Sequence, residues 1–319
     1  MEEKLLRVEH LKKYFKTPKG QLHAVDDVTF SIGRGKTLGV VGESGCGKST
    51  LGRVSIKLIP ATDGAVFFEG KNILEAKENM QQRRDMQIIF QDPFTSIDPR
   101  MSVSETIAEP LKVHRLCKSK ADLNQRVKNL MDTVGLASRF YNSYPHEMDG
   151  GRRQRIGIAR ALALDPKFIV CDEPVSALDV SIQAQILNLM QDLQQDKGFT
   201  YMFITHDLSV VKHVSNEIMV MYLGVMVEKC PSDELFEKPL HPYTKALLSA
   251  IPEPRVIKTR KRKILQGEVT SPIEPHPGCR FAARCEYVRD ICHRETPVLE
   301  EVLPGHTVAC HRTHEINDV

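Results

Sequence analysis

The stretch Gly42-Glu-Ser-Gly-Cys-Gly-Lys-Ser-Thr50 decides the fold of this chain. It matches the phosphate-binding pattern G-x4-G-K-[ST]. Glycines let backbone N–H groups turn inward and form a nest for an anion, and a helix that begins near Lys48 adds the positive end of its dipole. In such a loop Lys48 neutralises phosphate charge and the Ser49 hydroxyl binds Mg²⁺. The apolar run 37–41 precedes the loop, so the local order is strand, loop, helix.

Strands and helices alternate on both sides of this loop. The predicted strands are 4–10, 22–31, 37–41, 85–91, 167–172, 200–205 and a pair within 216–229. The predicted helices are 48–58, 152–164 and 181–196, with further helical spacing in 103–136. Such alternation is typical of an α/β core with a mostly parallel sheet. We therefore predict a P-loop NTPase core with an N-terminal antiparallel β subdomain and a helical subdomain at about 92–165.

A second motif lies at the end of a buried strand, in Phe168-Ile-Val-Cys-Asp-Glu173. The strand delivers Asp172 to the carboxyl edge of the sheet, where ligands bind in such folds. Asp172 is placed to hold Mg²⁺, and Glu173 is placed to polarise an attacking water. Two acids at a strand end are also compatible with the solvated start of a loop, so this motif gains its meaning from the phosphate-binding loop.

Composition limits the class of protein. The chain has 319 residues, 41% of them hydrophobic and 27% charged, and a formal net charge of +3. These values are typical of a globular protein, and the charge is too small to indicate a nucleic-acid binder. No apolar run reaches the ~18 residues of a membrane span, and no apolar signal region follows the first residues. We therefore expect the eight cysteines to lie in a reducing compartment.

Further polar residues lie along the chain in the order that a complete ATP-hydrolysing site needs. Gln91 follows the strand that ends at Phe90, and His206 follows the strand 200–205. Isolated Gln and His residues are more often structural than catalytic. Their order with the other motifs carries the argument.

On these motifs, residues 3–235 resemble the ATPase subunits of ABC transporters. The matching segments are 42–50 (Walker A), 168–173 (Walker B), Gln91 (Q-loop), 148–155 (signature), 176–179 (D-loop) and His206 (switch histidine). Phe15, or Tyr14 beside it, resembles the aromatic residue that stacks on adenine. The resemblance implies ATP and Mg²⁺ as cofactors, with Mg²⁺ held by Ser49, Gln91 and Asp172, and catalytic roles for Glu173, His206 and Gln91. The implied nucleotide contacts are Phe15, Gly42, Ser44, Gly45, Cys46, Gly47, Lys48, Ser49, Thr50, Gln91, Asp149, Gly150, Gly151 and His206.

Two longer stretches narrow the resemblance to one branch of that family. Residues 174–185 and 241–252 look like the ATPases of oligopeptide, dipeptide and nickel importers. The branch implies a heterodimer with a second ATPase subunit, two membrane permeases and an external binding protein. It also implies a peripheral position on the cytoplasmic face of the cell membrane. The identity of the transported substrate stays open, as does the oligomeric state of the isolated chain.

The signature segment departs from the family pattern Leu-Ser-Gly-Gly-Gln, because it is Met148-Asp-Gly-Gly-Arg152. In the family dimer this segment caps the γ-phosphate bound by the opposite subunit. Two unit charges ~4 Å apart at an effective dielectric of ~20 repel by roughly 4 kcal/mol. A helix dipole offsets about 0.3–1 kcal/mol of this repulsion. Asp149 is also a good N-cap, so we expect a sound helix start and a weakened phosphate contact at the partner's site.

The last 41 residues contain four cysteines, Cys279, Cys285, Cys292 and Cys310. Four thiolates can bind zinc or an iron–sulfur cluster. The gaps lack the short C-x2–4-C spacing of structural zinc sites, and the resemblance suggests a 4Fe–4S cluster, with zinc as the alternative and free or disulfide-bonded thiols as a third. Because the cysteines are far in sequence from the phosphate-binding loop, we predict a structural metal that staples a small module.

We thus predict two domains, an ABC ATPase domain at 1–250 and a C-terminal module at 251–319. A Pro-rich connection spans 251–278, and its basic run Lys258–Lys263 is predicted to be a solvated stretch or a contact with anionic lipid. Three rival readings stay open. They are an ABC ATPase that acts on DNA or ribosomes, a subunit that binds ATP without hydrolysing it, and a P-loop kinase of small molecules.

Overall fold

The structure is a computed structural model that describes residues 3–77, 79–92, 94–251 and 271–317. Two compact units are present. The phosphate-loop unit comprises Lys4–Ile32, Thr37–Leu74 and Thr205–Val319, and the helical unit comprises Met1–Glu3, Gly33–Lys36 and Glu75–Ile204. The predicted basic run Lys258–Lys263 lies outside the described residues.

The strands of the described residues are β1 (Lys4–Thr17), β2 (Gly20–Gly33), β3 (Thr37–Val41), β4 (Asp63–Phe68), β5 (Lys71–Asn72), β6 (Met86–Ile89), β7 (Phe168–Asp172), β8 (Thr200–Ile204), β9 (Glu217–Tyr222), β10 (Val225–Pro231), β11 (Glu300–Leu303) and β12 (His306–Val308). The α-helices are α1 (Lys48–Ser55), α2 (Met80–Asp85), α3 (Val103–Val113), α4 (Lys120–Thr133), α5 (Gly150–Leu162), α6 (Val180–Lys197), α7 (Leu208–Val214), α8 (Ser232–Glu237), α9 (Pro242–Ser249), α10 (Asp290–Arg294) and α11 (Thr313–Asn317). The predicted α/β class and the N-terminal antiparallel sheet are confirmed, since β4 pairs antiparallel with β1 and β5 in a sheet of order β2-β1-β4-β5.

In the phosphate-loop unit, β3 leads directly into the phosphate-binding loop. All five residues of β3 are buried, and Val41 pairs in parallel register with Val220 of β9. β9 continues through antiparallel pairs to β10, β12 and β11. The backbone N–H of Thr205 donates to the carbonyl oxygen of Val40 (3.1 Å), which places the start of the segment with His206 beside the end of β3.

A buried hydrogen bond between His306 and Glu228 attaches the C-terminal strands to the sheet of this unit. His306 Nε2 lies 2.8 Å from Glu228 Oε1, and both side chains are fully buried. The Glu228 carboxylate also accepts hydrogen bonds from the backbone N–H groups of Leu240 (2.7 Å) and His241 (3.1 Å). Removal of one partner leaves a buried polar group without its hydrogen bond, so this contact favours one fixed arrangement of β10, α9 and β12.

In the helical unit, three parallel strands end at the same edge. β6 pairs with β7 and β7 pairs with β8, with Ile89 opposite Cys171 and Asp172 opposite Ile204. The residues that follow β6 and β7 therefore emerge next to each other. The helices α3, α4 and α5 pack on one another within 103–162, and a capping box of Ser102 and Glu105 begins α3.

Within the described residues, we find no helix with the length and apolar character needed to span a membrane.

Candidate ATP-binding and catalytic site

The phosphate-binding loop is held closed by its own lysine. Lys48 Nζ donates to the carbonyl oxygens of Gly42 (2.8 Å) and Glu43 (2.9 Å), and the side chain is only 5% exposed. Ser44 and Gly45, at the tip of the loop, are exposed. Lys48 is the first residue of α1, so the helix N-terminus and the ammonium group serve the same loop.

Two glycines of the loop are required by close approach of other backbone segments. A Cβ atom on Gly42 would lie 2.2 Å from the carbonyl oxygen of Met221, and one on Gly47 would lie 1.9 Å from that of Ala24. Gly47 also has φ of 103°, in the region that favours glycine. The loop is therefore wedged between the end of β9 and the strand β2.

The structure separates the two aromatic candidates for adenine stacking. Tyr14 stacks on His23 at 3.9 Å between ring centroids and donates its hydroxyl to Asp26. Burial and the bond to Asp26 raise the pKa of the Tyr14 phenol. Phe15 lies on the other face of β1 and is 37% exposed, with the Lys13 ammonium 4.8 Å from its ring centroid. An open ring of this kind is available for stacking, whereas Tyr14 is occupied.

The helical unit brings together the predicted catalytic residues at the ends of β6 and β7. Gln91 Nε2 donates to Oε2 of Glu173 at 2.9 Å. Glu173 has φ of 47°, a left-handed conformation that is uncommon outside glycine and often marks a functional site. Asp172 is buried at the end of β7, with 1% exposure. His206 and Ser49 belong to the phosphate-loop unit, where His206 is exposed and directly precedes Asp207, the N-cap of α7.

Asp149 is the N-cap of α5. Its Oδ1 accepts from the backbone N–H of Arg152 at 2.8 Å, and its Oδ2 lies 2.7 Å from Nη1 of the same arginine. The Arg152 guanidinium also lies 5.0 Å from the ring centroid of Phe140. Arg152 thus partly neutralises the carboxylate that replaces the family serine, although both side chains are about half exposed and the pair is weak.

The four C-terminal cysteines line one cavity of about 20 Å³. The backbone at Phe281, Tyr287 and Arg312 lowers the pKa of Cys279, Cys285 and Cys310, respectively, but burial has the larger effect. Burial first, and then the neighbouring thiols, raise the pKa of these three groups, that of Cys279 to about 12. A bound cation reverses this effect, because it stabilises the thiolate form. In the part of the chain that the structure describes, no three His, Cys, Asp or Glu side chains are grouped closely enough to hold a metal ion.

One contact of the phosphate-binding loop was not anticipated from the sequence. Arg284, beside Cys285, forms two hydrogen bonds with the carboxylate of Glu43, at 2.7 and 3.0 Å. The cysteine segment, although far from the loop in sequence, therefore contacts it in the structure. Nothing in the sequence pairs positions that are 241 residues apart.

Comparison with known proteins agrees with an ATP-binding site of this kind. A family model described as ABC transporter matches residues 25–176, and one described as oligopeptide/dipeptide transporter, C-terminal region, matches residues 227–292. The chain is 53% identical over 313 residues to the oligopeptide transport ATP-binding protein OppF of Bacillus subtilis, with 97% of each chain covered. It belongs to the ABC transporter ATP-binding protein family. The chain is also 52% identical over 303 residues to OppF of Salmonella typhimurium, with 94% of this chain and 90% of that protein covered.

Solved ABC ATPases have the same fold. A dimeric ATP-binding cassette in a post-hydrolysis state with bound ADP and phosphate matches 71% of this chain and 98% of its own, with a TM-score of 0.65 and 27% identity. The cbiO1 protein of Clostridium perfringens matches 74% of this chain and 92% of its own, with a TM-score of 0.65 and 26% identity. As a member of this family, the chain is an ATP-hydrolysing subunit of an ABC transporter.

Proposed function

We propose that this ABC ATPase powers the import of oligopeptides or dipeptides across a membrane. The observation that carries the proposal is the match of residues 227–292 to the C-terminal region of oligopeptide and dipeptide transporters. The names of the relatives, which are similar over nearly the whole chain, support the same substrate class.

For hydrolysis, we propose that the loop 42–50 binds the ATP phosphates and that Phe15 stacks on adenine. Ser49, Gln91 and Asp172 supply hydroxyl, amide and carboxylate oxygens, the donor set that Mg²⁺ prefers. When bound, Mg²⁺ neutralises charge on the phosphates. Catalysis in this class is chiefly positioning and charge stabilisation.

Glu173 has the role of orienting or deprotonating the water that attacks the γ-phosphorus. Its hydrogen bond with Gln91 supports this role, because the amide fixes the direction of the carboxylate before nucleotide binds. His206 contacts the γ-phosphate in this proposal. In-line attack by water breaks the bond between the β–γ bridging oxygen and the γ-phosphorus, and it yields ADP, phosphate and a proton.

We further propose that the chain works with a second ATPase subunit, two permeases and an external binding protein, at the cytoplasmic face of the membrane. The dimeric state of a solved ATPase of the same fold supports ATPase pairing. Asp149, Gly150 and Gly151 face the partner's nucleotide in this arrangement. We propose that the two sites are unequal, because Asp149 puts a carboxylate where the family has a hydroxyl.

The four cysteines are proposed to hold a metal centre. The four residues line one cavity, and thiolates are the ligands that hold iron–sulfur clusters. A tetrahedral zinc site with bonds of about 2.3 Å needs its sulfurs within roughly 4 Å of one another. The cysteines lack the short C-x2–4-C spacing of structural zinc sites, so the iron–sulfur cluster is the proposal and zinc is the alternative.

Reconstitution tests the transport function. The ATPase is combined in proteoliposomes with the two permeases and second ATPase encoded by neighbouring genes, and peptide-loaded binding protein is added. We expect ATP hydrolysis and uptake of labelled peptide to rise together. Hydrolysis that responds to nickel or another solute but not to peptides contradicts the proposed substrate class.

A further inference from the structure

An arginine of the cysteine-bearing segment forms an ion pair with the phosphate-binding loop. Arg284 Nη1 lies 2.7 Å from Oε2 of Glu43, and Nη2 lies 3.0 Å from Oε1. The Arg284 side chain is only 7% exposed and that of Glu43 27%. The bond to Glu43 is the main reason that the pKa of Arg284 is raised. A two-point contact of this kind fixes orientation as well as charge. Glu43 is the second residue of the loop.

The backbone of Glu43 is fixed separately by an aromatic cluster. Its N–H donates to the hydroxyl of Tyr243 at 2.9 Å. The Tyr243 ring contacts Tyr222 and Phe281, with centroids 4.7 and 5.4 Å away, and all three side chains are almost fully buried. Phe281 lies between Cys279 and Cys285 in the chain, so the packing of the cysteine segment sets the position of the Tyr243 hydroxyl.

A second arginine of the segment acts on the other half of the loop. Arg280 donates to the carbonyl oxygen of Leu223 and to the carboxylate of Asp26. Leu223 and Gly224 form the tight turn between β9 and β10, with φ of 43° and 84°. The N–H of Gly224 donates to the carbonyl oxygen of Cys46 at 2.8 Å. Left-handed backbone at a leucine costs free energy, and the Arg280 contact holds the turn in place.

We propose that the C-terminal cysteine segment, residues 279–310, is a positioning element of the phosphate-binding loop, and that ATP affinity depends on it through Arg284, Arg280 and Tyr243. This rests on the proposed role of the loop in binding ATP. A loop that is ordered before the ligand arrives spends less of the binding free energy on ordering. The proposal also gives the cysteines a role in nucleotide binding, since Cys279 and Cys285 flank the residues that touch the loop.

The charge of Glu43 distinguishes loss of the ion pair from simple loss of packing. With Arg284 removed, the Glu43 carboxylate stays next to the phosphate site without compensation and repels ATP. With both side chains neutralised, the repulsion is gone and only the positioning contact is lost. The double variant Arg284→Gln/Glu43→Gln should therefore bind ATP more tightly than Arg284→Gln alone.

Equilibrium binding of a non-hydrolysable ATP analogue to the intact, purified subunit tests the proposal. We expect Arg284→Gln to raise Kd by roughly fivefold or more, with Arg284→Lys between it and the wild type. Tyr243→Phe keeps the buried ring and loses the acceptor for Glu43, so Kd should rise there as well. Glu315→Gln is the matched control. It breaks the Arg312–Glu315 pair (2.7 Å), which lies directly after the segment, and should leave Kd unchanged.

The cysteines are tested in the same assay. Cys292→Ser alone should weaken ATP binding, and in the Arg284→Gln background it should weaken binding little further. Cys117→Ser, in the helical unit, should leave the Kd unchanged. Circular dichroism and thermal unfolding identify variants that do not fold. A folded Arg284→Gln variant with the wild-type Kd overturns the proposal. If Arg284→Gln does not fold, the wild-type Kd in both Arg284→Lys and Tyr243→Phe overturns it. A wild-type protein that binds no ATP contradicts the proposed function instead.

Discussion

Gln91 Nε2 and Glu173 Oε2 are 2.9 Å apart at the ends of two adjacent parallel strands. Glu173 takes the left-handed conformation directly after β7, which turns its side chain to meet the amide. Such backbone strain persists where the surrounding structure enforces it, and it is concentrated at functional sites. The pair is therefore formed in the absence of nucleotide, and its proposed role in hydrolysis can be tested by changing either member.

Replacement of Glu173 by glutamine should separate ATP binding from hydrolysis. The amide keeps the size of the side chain and removes the group that accepts a proton from water. Loss of a general base costs roughly 10²–10⁴-fold in rate. We expect kcat of Glu173→Gln to fall by about that factor, with the Kd for ATP within a few-fold of the wild type. Asp196→Asn, on an exposed position of α6, is the control and should hydrolyse ATP normally. Normal turnover by Glu173→Gln would show that this assignment is wrong.

Replacement of Phe15 tests the adenine contact. Stacking of a base on an aromatic ring contributes about 1–3 kcal/mol by alanine substitution. Phe15→Ala should therefore raise the Kd for ATP roughly five- to hundredfold, while Phe15→Tyr should not. Phe67 is a matched control, because it carries the Arg7 guanidinium over its ring at 4.4 Å on the same N-terminal sheet. If Phe67→Ala weakens ATP binding as much as Phe15→Ala, the effect comes from the sheet and not from stacking.

The sequence predicted those parts of the site that are local in the chain. The loop 42–50, the acids after β7 and the N-cap at Asp149 each depend on a few consecutive residues, and glycine spacing or strand burial makes them recognisable. Fold class follows for the same reason, since alternation of strands and helices is a short-range pattern. Helix bounds were also close, with α5 at Gly150–Leu162 against the predicted 152–164.

Contacts across the chain could not be predicted in this way. The Arg284–Glu43 pair depends on how the C-terminal segment folds back, which no local pattern records. The choice between Tyr14 and Phe15 depends on which face of β1 meets His23 and Asp26. The sequence suggested that Arg152 lies on a different side of the turn from Asp149, but its side chain folds back onto the cap, an arrangement set by rotamers and not by sequence spacing.

Restoration of the family serine at position 149 should increase hydrolysis in the assembled transporter. In the proposed dimer the carboxylate repels the partner's γ-phosphate, and the exposed pair with Arg152 offsets about 0–1 kcal/mol of that repulsion. We expect Asp149→Ser to raise the ATPase rate of the heterodimeric complex roughly two- to tenfold, measured at saturating ATP. Helix stability should stay unchanged, because serine is also a good N-cap.

Two further variants control this experiment. Asp149→Ala removes both the charge and the cap, and it should lower the free energy of unfolding by about 1 kcal/mol. Arg152→Gln leaves the carboxylate without its partner, so it should lower the ATPase rate. An unchanged rate for Asp149→Ser in the heterodimer contradicts the idea of unequal sites.

Anaerobic purification should yield a coloured protein that contains iron. The four cysteines line one cavity, so they can offer four thiolate ligands to a cluster. We expect broad visible absorption, about four iron atoms per chain, and loss of both when Cys279, Cys285, Cys292 or Cys310 is changed to serine. Cys117→Ser should keep the colour, because Cys117 lies in the helical unit. A colourless, iron-free protein with one zinc per chain identifies the site as zinc, and a protein without either metal contradicts the metal centre altogether.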